Sequence, residues 1–538
     1  MRIWCAAFAA SLLCLMPLSG RGASRPAVDW PTFGYDYSNS RHVPFHQINA
    51  ANVKSLRLAW KFSLGTYGKF EATPIVRDGS MYLSLPPNDT VVALHASDGR
   101  VLWTYTPELA AVKLCCGPVN RGVAVDADHV YLATLDARLI ALDRRTGALR
   151  WQTAVENPGA GYSETMAPLV WRDMVFIGIS GGDVGIRGSF TAYAAGDGRR
   201  LWRWYTVERE NGGGSVWMTP ALDEAKAILY FGVGNPFPTI DDTTRPGEDL
   251  YTDSVVALDA RTGTLRWYYQ EVPHDQWDYD ASSPPLLVDT RTADGSRLPA
   301  VAQAGKTGWL YLLARDRGTL IRKSSPFVRQ QNMFARPTAQ GVYASPAGGS
   351  GAIAPPAVNL AMHRAFVTAV DQLHFARFSD PYWHQAGAAV ESLSAIDLDS
   401  GRIAWRHQFP PGGRIDGGLN ATNGPCATDD LVFVGEESTG LFDALDPKNG
   451  ALLWQFQTSA GTPGSGADLS FSVKLRDFFV RVKHVLLREP QPVAQTHIHN
   501  SPIAYIVDGV EYVAIGGDAF YRQGDSSGDT LYVFSLPH

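Results

Sequence analysis

The chain has 538 residues, 45% of them hydrophobic and 19% charged, with 52 glycines, 34 prolines and 15 tryptophans. This composition is that of a globular protein and excludes disorder as the default. A net charge of −6 and a pI near 6.1 exclude the broad basic face that a nucleic-acid partner requires. Length alone suggests about three or four domains, but internal repeats indicate one large repeat domain instead.

Residues 1–23 have the character of a secretory signal peptide. Arg2 gives a positive start, a mostly apolar run follows to Leu18, and residues 20–23 offer small side chains for cleavage. The run is short for a membrane span, and a retained N-terminal anchor is the alternative. Residues 24–538 are therefore expected to form a soluble, periplasmic protein.

Five cysteines are present, and two of them fall within the signal. The remaining Cys115, Cys116 and Cys426 would enter an oxidising compartment, which permits disulfides. No Cys-x-x-Cys-His motif occurs in the sequence, so no covalently attached c-type haem is encoded.

One pattern recurs along the chain: an apolar strand, a turn with glycine, and a tryptophan shortly after the turn. Its first clear copy runs from Ala93 through Gly99 to Trp103. The same offsets, six residues from alanine to glycine and four from glycine to tryptophan, recur in copies that end at Trp151, Trp202, Trp267, Trp405 and Trp454. The glycine supplies the positive φ that a hairpin turn needs.

The period of the repeat predicts the fold. Trp103, Trp151 and Trp202 follow one another at intervals of 48 and 51 residues, and such periods are typical of four-stranded propeller blades. A degenerate copy ends at Trp60, and residues 309–320 resemble a copy without its terminal tryptophan, which brings the number to eight. We therefore predict an all-β, eight-bladed propeller of antiparallel blades with tryptophans docked between them. The last strand, 530–535, would pair with N-terminal strands.

The octapeptide 273–280 contains three carboxylates, one histidine and two aromatic residues. If it is extended, Asp278 and Asp280 point to the same side, and two adjacent carboxylates repel unless a cation or a shared proton reconciles them. A solvated acidic loop is the simpler interpretation of this stretch taken alone.

Other interruptions of the repeat also carry chemistry. Cys115 and Cys116 are adjacent, so they form either a strained disulfide or two buried free thiols. Glycine-rich loops surround Asp183 and precede Trp217, and Asn235 lies in another tight loop. Oxygen ligands from several blades would build a site for a hard cation, and Lys306 offers a positive charge to an anionic ligand.

Taken in this order, these stretches resemble the pyrroloquinoline quinone (PQQ)-dependent alcohol dehydrogenases of the methanol and ethanol dehydrogenase type. The resemblance covers roughly Trp30 to Ser535. It implies an eight-bladed propeller that binds PQQ and a metal ion in its axial channel. Cys115 and Cys116 would cover one face of the quinone ring, and Trp217 would stack on the other. The resemblance assigns the remaining quinone contacts to Glu71, Arg121, Thr165, Ser180, Gly181, Gly182, Ser215 and Lys306.

The resemblance also assigns the metal and the chemistry. Asp183 and Asn235 would be metal ligands and Asp278 the catalytic base. Asp280, two residues further on, marks the lanthanide-dependent branch of the family, so a lanthanide is favoured over Ca²⁺ in the set Asp183, Asn235, Asp278 and Asp280. The implied reaction is metal-assisted hydride transfer from a small alcohol to the quinone. Electrons would then pass to a separate acceptor such as a soluble cytochrome c.

The sequence departs from the family pattern in three places. Asp183 replaces the usual glutamate and is one methylene shorter. The usual Asn-Trp is absent near Gly351, and about 35 residues are inserted before Asn500. This insert, at 465–500, has apolar residues at helical spacing, so it is predicted to be a helix packed on the propeller. Its basic stretch 470–490 is alternatively a docking site for an acidic partner or a membrane. His497 and His499 are expected to be loop histidines rather than a second metal site.

Two hypotheses follow. The first is an exported, PQQ-dependent alcohol dehydrogenase. The second is a non-catalytic propeller that binds proteins and has lost its cofactor, which the departures at Asp183 and Gly351 keep open.

Overall fold

The computed structural model describes residues 28–64, 69–292, 294–380, 383–410, 422–458, 496–519 and 529–537. The predicted signal at 1–23 and the stretch 470–490 lie outside these ranges, as does most of the predicted insert at 465–500. Within them the secondary structure is almost entirely β, with three 3-10 helices at Val53–Ser55, Pro158–Ala160 and Gly182–Val184. No helix in the described residues is long and apolar enough to cross a membrane.

The strands form antiparallel sheets in chain order. The first sheet contains β2 (Ile75–Arg77), β3 (Ser80–Leu85), β4 (Thr90–His95) and β5 (Val101–Tyr105). The second contains β6 (Ala124–Val125), β7 (His129–Ala133), β8 (Arg138–Asp143) and β9 (Leu149–Ala154). The third contains β10 (Leu169–Trp171), β11 (Met174–Gly178), β12 (Ser189–Ala194) and β13 (Arg200–Tyr205). The fourth contains β14 (Ala221–Asp223), β15 (Ile228–Gly232), β16 (Ser254–Asp259) and β17 (Leu265–Gln270).

Four further sheets follow in the described part of the chain. The fifth contains β18 (Leu286–Arg291), β19 (Arg297–Ala304), β20 (Leu310–Ala314) and β21 (Leu320–Lys323). The sixth contains β22 (Val342–Ala344), β23 (Ala357–Asn359), β24 (Arg364–Ala376), β25 (His384–Asp397) and β26 (Ile403–Gln408). The seventh contains β27 (Cys426–Ala427), β28 (Val432–Gly435), β29 (Leu441–Leu445) and β30 (Leu452–Gln457). The eighth joins β31 (Thr496–His497), β32 (Ile503–Val507), β33 (Val510–Ala519) and β34 (Thr530–Ser535) to β1 (Arg57–Ser63).

Burial separates the strands of each sheet into two kinds. The middle strands are apolar and largely buried, as in β8 and β16, whereas the last strands alternate between exposed and half-buried residues, as in β9 and β26. Continuous apolar strands fit a position with both faces covered, and alternating strands fit one with a solvated face. The all-β propeller fold with four-stranded antiparallel sheets is thus confirmed.

The repeat tryptophans reach from one sheet to the next. The indole nitrogen of Trp103 donates to the carbonyl of Arg144, 3.0 Å away, in the turn after β8. In that turn Gly147 has φ +70°, and a Cβ added to it would lie 2.5 Å from the Trp103 ring. Glycine is required there by both the left-handed backbone and the close approach of the ring. The same indole-to-carbonyl contact is made by Trp151, Trp202, Trp267 and Trp405.

The predicted pairing of the last strand with an N-terminal strand is confirmed. β34 pairs antiparallel with β1, with Arg57 opposite Ser535 and Trp60 opposite Val533. The other edge of β34 pairs with β33, so neither edge of the last strand is left open.

Candidate active site

The predicted site residues occupy two kinds of segment that lie at the same end of their sheets. Some precede the first strand of a sheet, as Arg121 precedes β6 and Asp278 precedes β18. Others follow the second strand, as Asn235 follows β15 and Lys306 follows β19. In an antiparallel sheet the start of one strand and the end of its neighbour are at the same edge, so the topology gathers these residues from five sheets.

The octapeptide 273–280 is a loop and not an extended strand. Asp278 has φ +65°, so the predicted alternation that would align it with Asp280 is wrong. The buried carboxylate of Asp275 fixes this loop, because its two oxygens accept the backbone N–H groups of Trp277 at 2.8 Å and Tyr279 at 2.9 Å. Burial raises the pKa of Asp275 to about 6, although these two hydrogen bonds lower it.

Asp278 and Asp280 nevertheless converge, because both contact Lys306. The Lys306 Nζ lies 2.7 Å from Asp278 Oδ1 and 2.9 Å from Asp280 Oδ2. Burial raises the pKa of Asp278 well above its ordinary value, and the positive charge of Lys306 opposes that rise. Burial by itself would lower the pKa of Lys306, but the two carboxylates raise it above its ordinary value. Lys306 is therefore the cation that balances the acidic pair in this structure.

Asn235 links the acidic pair to Asp183. Its backbone N–H donates to Asp280 Oδ1 at 2.6 Å, and its side-chain nitrogen donates to Asp183 Oδ1 at 3.2 Å. The shorter carboxylate of Asp183 thus reaches the other predicted metal ligands. The amide nitrogen of Asn235 faces Asp183, so binding a cation through the amide oxygen requires that amide to turn over.

The two adjacent cysteines lie beside Asp183. Ligand atoms of Cys115, Cys116 and Asp183 all lie within 4.8 Å of one another. The sulfurs are 2.7 Å apart and form no disulfide, because this exceeds an S–S bond length of about 2.05 Å, and both thiols are exposed. The alternatives of a disulfide and of two buried thiols are both absent from this structure. A hydrogen bond from Cys115 lowers the pKa of Cys116, and Lys306 and Lys69 add to that effect, whereas partial desolvation of the sulfur and the charge of Asp183 oppose it.

Arg121 organises the opposite side of the site. Its guanidinium forms an ion pair with Glu71, 2.8 Å between Nη2 and Oε2, and lies 4.8 Å from the centroid of the half-buried Trp217 ring. A second nitrogen of Arg121 donates to the carbonyl of Thr165 at 3.3 Å. The structure therefore brings these four predicted cofactor residues into one contact group.

The remaining predicted contacts lie between the third and fourth sheets. The hydroxyls of Thr165 and Ser180 are 2.7 Å apart, and the Ser215 hydroxyl accepts the backbone N–H of Gly182 at 2.7 Å. Ser180 to Asp183 form the turn after β11, where Gly181 has φ +112°. A Cβ added to Gly181 would lie 2.2 Å from the carbonyl oxygen of Gly161. No side chain fits there, so Gly181 allows this turn to pack closely against the loop that contains Gly161.

Gly351 marked a departure from the family pattern in the sequence, but its contact with Lys306 was not predicted. Its φ is +86°, and a Cβ would lie 2.5 Å from the backbone of Lys306. The departure from the family pattern at this point therefore permits the close packing that holds Lys306. The signal was present in the sequence as the run Gly348-Gly349-Ser350-Gly351, but only the fold brings it to Lys306.

The side chains present fit both implied groups. Two carboxyl groups, Asp278 and Asp280, face one ammonium group, and Asp183 is joined to them through Asn235. This is the chemistry of a site for a multivalent cation. Arg121 and the hydroxyls of Thr165 and Ser180 offer hydrogen-bond donors to an anionic cofactor, whereas the Gly182 N–H is already bonded to Ser215. The exposed thiol pair offers a polarisable surface beside them.

Comparison of the sequence with models of known protein families identifies the family of this chain. The model described as "Glucose/ethanol/alcohol dehydrogenase, beta-propeller domain" matches residues 30–333. The chain belongs to the PQQ-dependent alcohol dehydrogenases. As a member of this quinoprotein family it is an enzyme, which sets aside the hypothesis of a non-catalytic scaffold. A model for the outer membrane protein assembly factor BamB also matches residues 382–482, a smaller part of the chain.

Relatives of this quinoprotein extend over most of its length. It is 32% identical over 502 residues to quinohemoprotein alcohol dehydrogenase ADH IIB of Pseudomonas putida, covering 82% of this chain and 71% of that one. The crystal structure of a quinohemoprotein alcohol dehydrogenase from Comamonas testosteroni superposes with a TM-score of 0.79 at 28% identity, covering 96% and 82% of the two chains. A europium-containing methanol dehydrogenase gives a TM-score of 0.76 at 25% identity, with coverages of 95% and 98%.

Proposed function

We propose that this quinoprotein is an exported, periplasmic enzyme that oxidises a primary or other small alcohol to the aldehyde. The observation that carries the proposal is the bridge from Lys306 to both Asp278 and Asp280, with Asp183 joined to them through Asn235. A scaffold has no need to bury two carboxylates and an ammonium group together, since burying charges costs free energy unless they are used or paired.

PQQ would be held by groups from the first five sheets. Arg121, Thr165, Ser180 and Lys306 would donate hydrogen bonds to its carboxylates and carbonyls, and Glu71 orients Arg121. Ser215 supports the Gly181–Gly182 turn through its hydrogen bond to Gly182. Cys115 and Cys116 would cover one ring face and Trp217 the other.

The metal would be held by Asp183, Asn235, Asp278 and Asp280. We favour a lanthanide over Ca²⁺, because Asp280 adds a third carboxylate and a trivalent ion gains more from each anionic oxygen. The europium-containing methanol dehydrogenase among the structural relatives supports this choice.

The bound quinone and metal supply a hydride acceptor and a Lewis acid. Within this chain, Asp278 takes the hydroxyl proton of the alcohol. Burial raises the pKa of Asp278, which makes its ionised carboxylate a stronger base than that of an ordinary aspartate. Lys306 keeps that carboxylate in place, and Asp275 holds the loop on which Asp278 lies.

We further propose that the eight sheets act as eight blades, with the repeat tryptophans docked between neighbours. This arrangement would hold residues from separate blades at a fixed distance around one channel. The 538 residues contain no Cys-x-x-Cys-His motif, and we propose that the electrons leave to a separate one-electron acceptor such as a soluble cytochrome c.

The proposal is tested by loading the purified protein with PQQ and either La³⁺ or Ca²⁺ and assaying primary alcohols with an artificial dye. Alcohol-dependent dye reduction together with cofactor absorbance is the expected result. Absence of both under either metal would overturn the proposed function.

The metal assignment has its own test. Asp280→Ala should abolish La³⁺-supported activity and La³⁺ binding measured by calorimetry, while Asp289→Ala, a change in β18 away from the site, should alter neither. Equal La³⁺ affinity in Asp280→Ala and the wild type would refute the lanthanide assignment.

A further inference from the structure

Three buried ionisable groups in the seventh and eighth sheets form a chain that the proposed mechanism does not use. Glu437 follows β28, His499 precedes β32 and Asp518 lies near the end of β33. All three are at most 1% exposed. His499 Nδ1 lies 2.5 Å from Asp518 Oδ2, and His499 Nε2 lies 3.6 Å from Glu437 Oε1. His499 lies in a loop, as the sequence suggested, but this loop is buried.

The geometry suits an imidazole that changes protonation. A neutral imidazole donates from one nitrogen only, whereas here each nitrogen faces a carboxylate. Burial lowers the pKa of His499, but Asp518 and then Glu437 raise it above its ordinary value, with Lys69 opposing them. The ring of His497 lies 6.0 Å away. Nδ1 is hydrogen-bonded to Asp518, whereas Nε2 is buried without a hydrogen-bond partner in the described residues, 3.6 Å from Glu437. A single bridging water would complete the contact between Nε2 and Glu437.

Acidic groups continue from Glu437 toward the protein surface. Glu391 accepts the backbone N–H of Glu437 at 3.2 Å and the side chain of Asn423 at 3.0 Å. Burial and then the charge of Glu437 raise the pKa of Glu391 to about 7. Further out, burial and Asp443 raise the pKa of Glu436 to about 9. Asp443 accepts from the exposed Gln455 of β30 at 2.9 Å.

Unpartnered atoms line this path. In the described residues, one oxygen each of Asp518, Asn423, Glu436 and Asp443 is buried without a hydrogen-bond partner. Buried polar atoms of this kind are positions where internal water binds. Water there would complete a hydrogen-bonded path between acids that do not touch directly.

The buried group of His499 and its neighbouring acids lies next to residues of the candidate active site. Asn500, the residue after His499, lies with Phe70 against Gly516 of β33. Phe70 immediately precedes Glu71, which pairs with Arg121. Glu391 is opposite Val370, whose backbone bonds to Gly351 beside Lys306. The loop that carries His499 and the strand that carries Glu391 therefore both pack against residues that position the cofactor site.

We propose that Asp518, His499 and Glu437 form a proton relay that carries protons released by alcohol oxidation toward the outer strand of the seventh sheet. The inference rests on the proposed function. Oxidation of one alcohol to the aldehyde yields two electrons and two protons, and the electrons leave to the one-electron acceptor. In each relay step an N–H bond forms at one ring nitrogen of His499 as the N–H bond at the other breaks. Glu437 receives the proton that Asp518 supplied.

The test compares Glu437→Gln with Glu511→Gln, a matched control on the same strand as Asp518. Glu511 is also a buried carboxyl group, but it bonds to Ile48 and not to the relay. Glu437→Gln should lower dye-coupled turnover about tenfold and enlarge the solvent isotope effect. Small imidazole buffers should restore the rate. Single-turnover reduction by alcohol should stay within about twofold, because the relay acts after hydride transfer.

The outcomes separate the two proposals. Glu437→Gln and Glu511→Gln with the same turnover, isotope effect and response to imidazole would overturn the relay alone. An inactive wild type would overturn the proposed function and the relay with it.

A second measurement needs no variant. In ¹⁵N-histidine spectra of the wild type without added cofactor, the His499 ring should still be mostly doubly protonated at pH 6.5, the ordinary histidine pKa, and should lose a ring proton at higher pH. A ring that stays singly protonated from about pH 5 to about pH 9 would contradict the relay even if Glu437→Gln fails to fold.

Discussion

Lys306 decides the charge balance of the candidate active site. It is buried and contacts two carboxylates that have no other cation within the described residues at comparable distance. Removing one partner of such a group leaves uncompensated charge in a poorly solvated place. The same balance explains why an added metal ion has carboxylates ready to receive it.

Lys306→Met should therefore destabilise the metal-free protein by about 3 kcal/mol. Chemical unfolding in the presence of a chelator measures this. Lys323→Met is the control, because Lys323 is exposed and lies over the rings of Trp309 and Tyr311. Equal losses in the two variants would contradict the special role of Lys306.

Gly351→Ala should misplace Lys306. The new Cβ would lie 2.5 Å from the Lys306 backbone at a left-handed φ, and neither group can yield without moving β24. Gly387→Ala is the control for the strain of placing alanine at a left-handed φ, since Gly387 has φ +96° but nothing within 4 Å of its Cβ position. We expect Gly351→Ala to lose at least about tenfold in kcat, roughly 1.4 kcal/mol. Gly387→Ala should keep its activity, and similar kinetics in both would refute the packing argument.

At the scale of single elements, β33 carries two buried acids with different surroundings. Asp518 faces His499, whereas Glu511 accepts the backbone N–H of Ile48. Burial raises the pKa of Glu511 to about 7 from 4.5. Between those two values the folded state holds a proton that the unfolded chain has lost. The free energy of unfolding therefore falls as pH rises from about 4.5 to about 7. Above about pH 7 the full free-energy cost of burying the ionised Glu511 carboxylate is present.

Glu511→Gln should remove this cost. The variant is expected to be more stable than the wild type by up to about 3 kcal/mol at about pH 8, and nearly equal to it at about pH 4. Denaturant unfolding at the two pH values measures the difference. A gain of the same size at both would show that burial of the charge is not its cause.

The elements themselves were largely predictable from the repeat. The offsets from alanine to glycine to tryptophan located the third and fourth strands of most sheets, because hairpin turns leave a local signature. Individual site residues were predictable only where a motif marked them, as at Cys115 and Asp278. The left-handed turn at Asp278 could not be predicted, because its backbone conformation is set by Asp275 and by the packing of the residues around it. Of the relay residues only His499 was singled out, as a loop histidine. Glu437 and Asp518 were missed because they are distant from it in sequence and meet it only where the seventh and eighth sheets adjoin.

At the scale of the whole molecule, one strand pair joins the two ends of the described chain. β34 contributes the buried residues Leu531, Tyr532, Val533 and Phe534, and burial of each stabilises the fold by about 1.5–3 kcal/mol. Their sum is comparable to the total stability of an ordinary domain, about 5–15 kcal/mol.

Deletion of residues 530–538 should therefore abolish cooperative unfolding and soluble expression. Deletion of residues 537–538 alone is the control and should change neither. Circular dichroism during heating and the soluble yield measure the outcome. A truncated protein that still unfolds in one sharp transition would show that the pairing of β1 with β34 is dispensable.

The same pairing has a consequence for biosynthesis. Arg57 of β1 pairs with Ser535 of β34, so β1 stays unpaired until residues 530–535 have been synthesised. Contacts between residues so far apart form slowly, and Glu71 comes shortly after that first strand. A prematurely terminated product would contain every site motif from Glu71 to Lys306 and still lack an assembled catalytic centre. Assembly of the catalytic centre thus depends on the synthesis and pairing of β34.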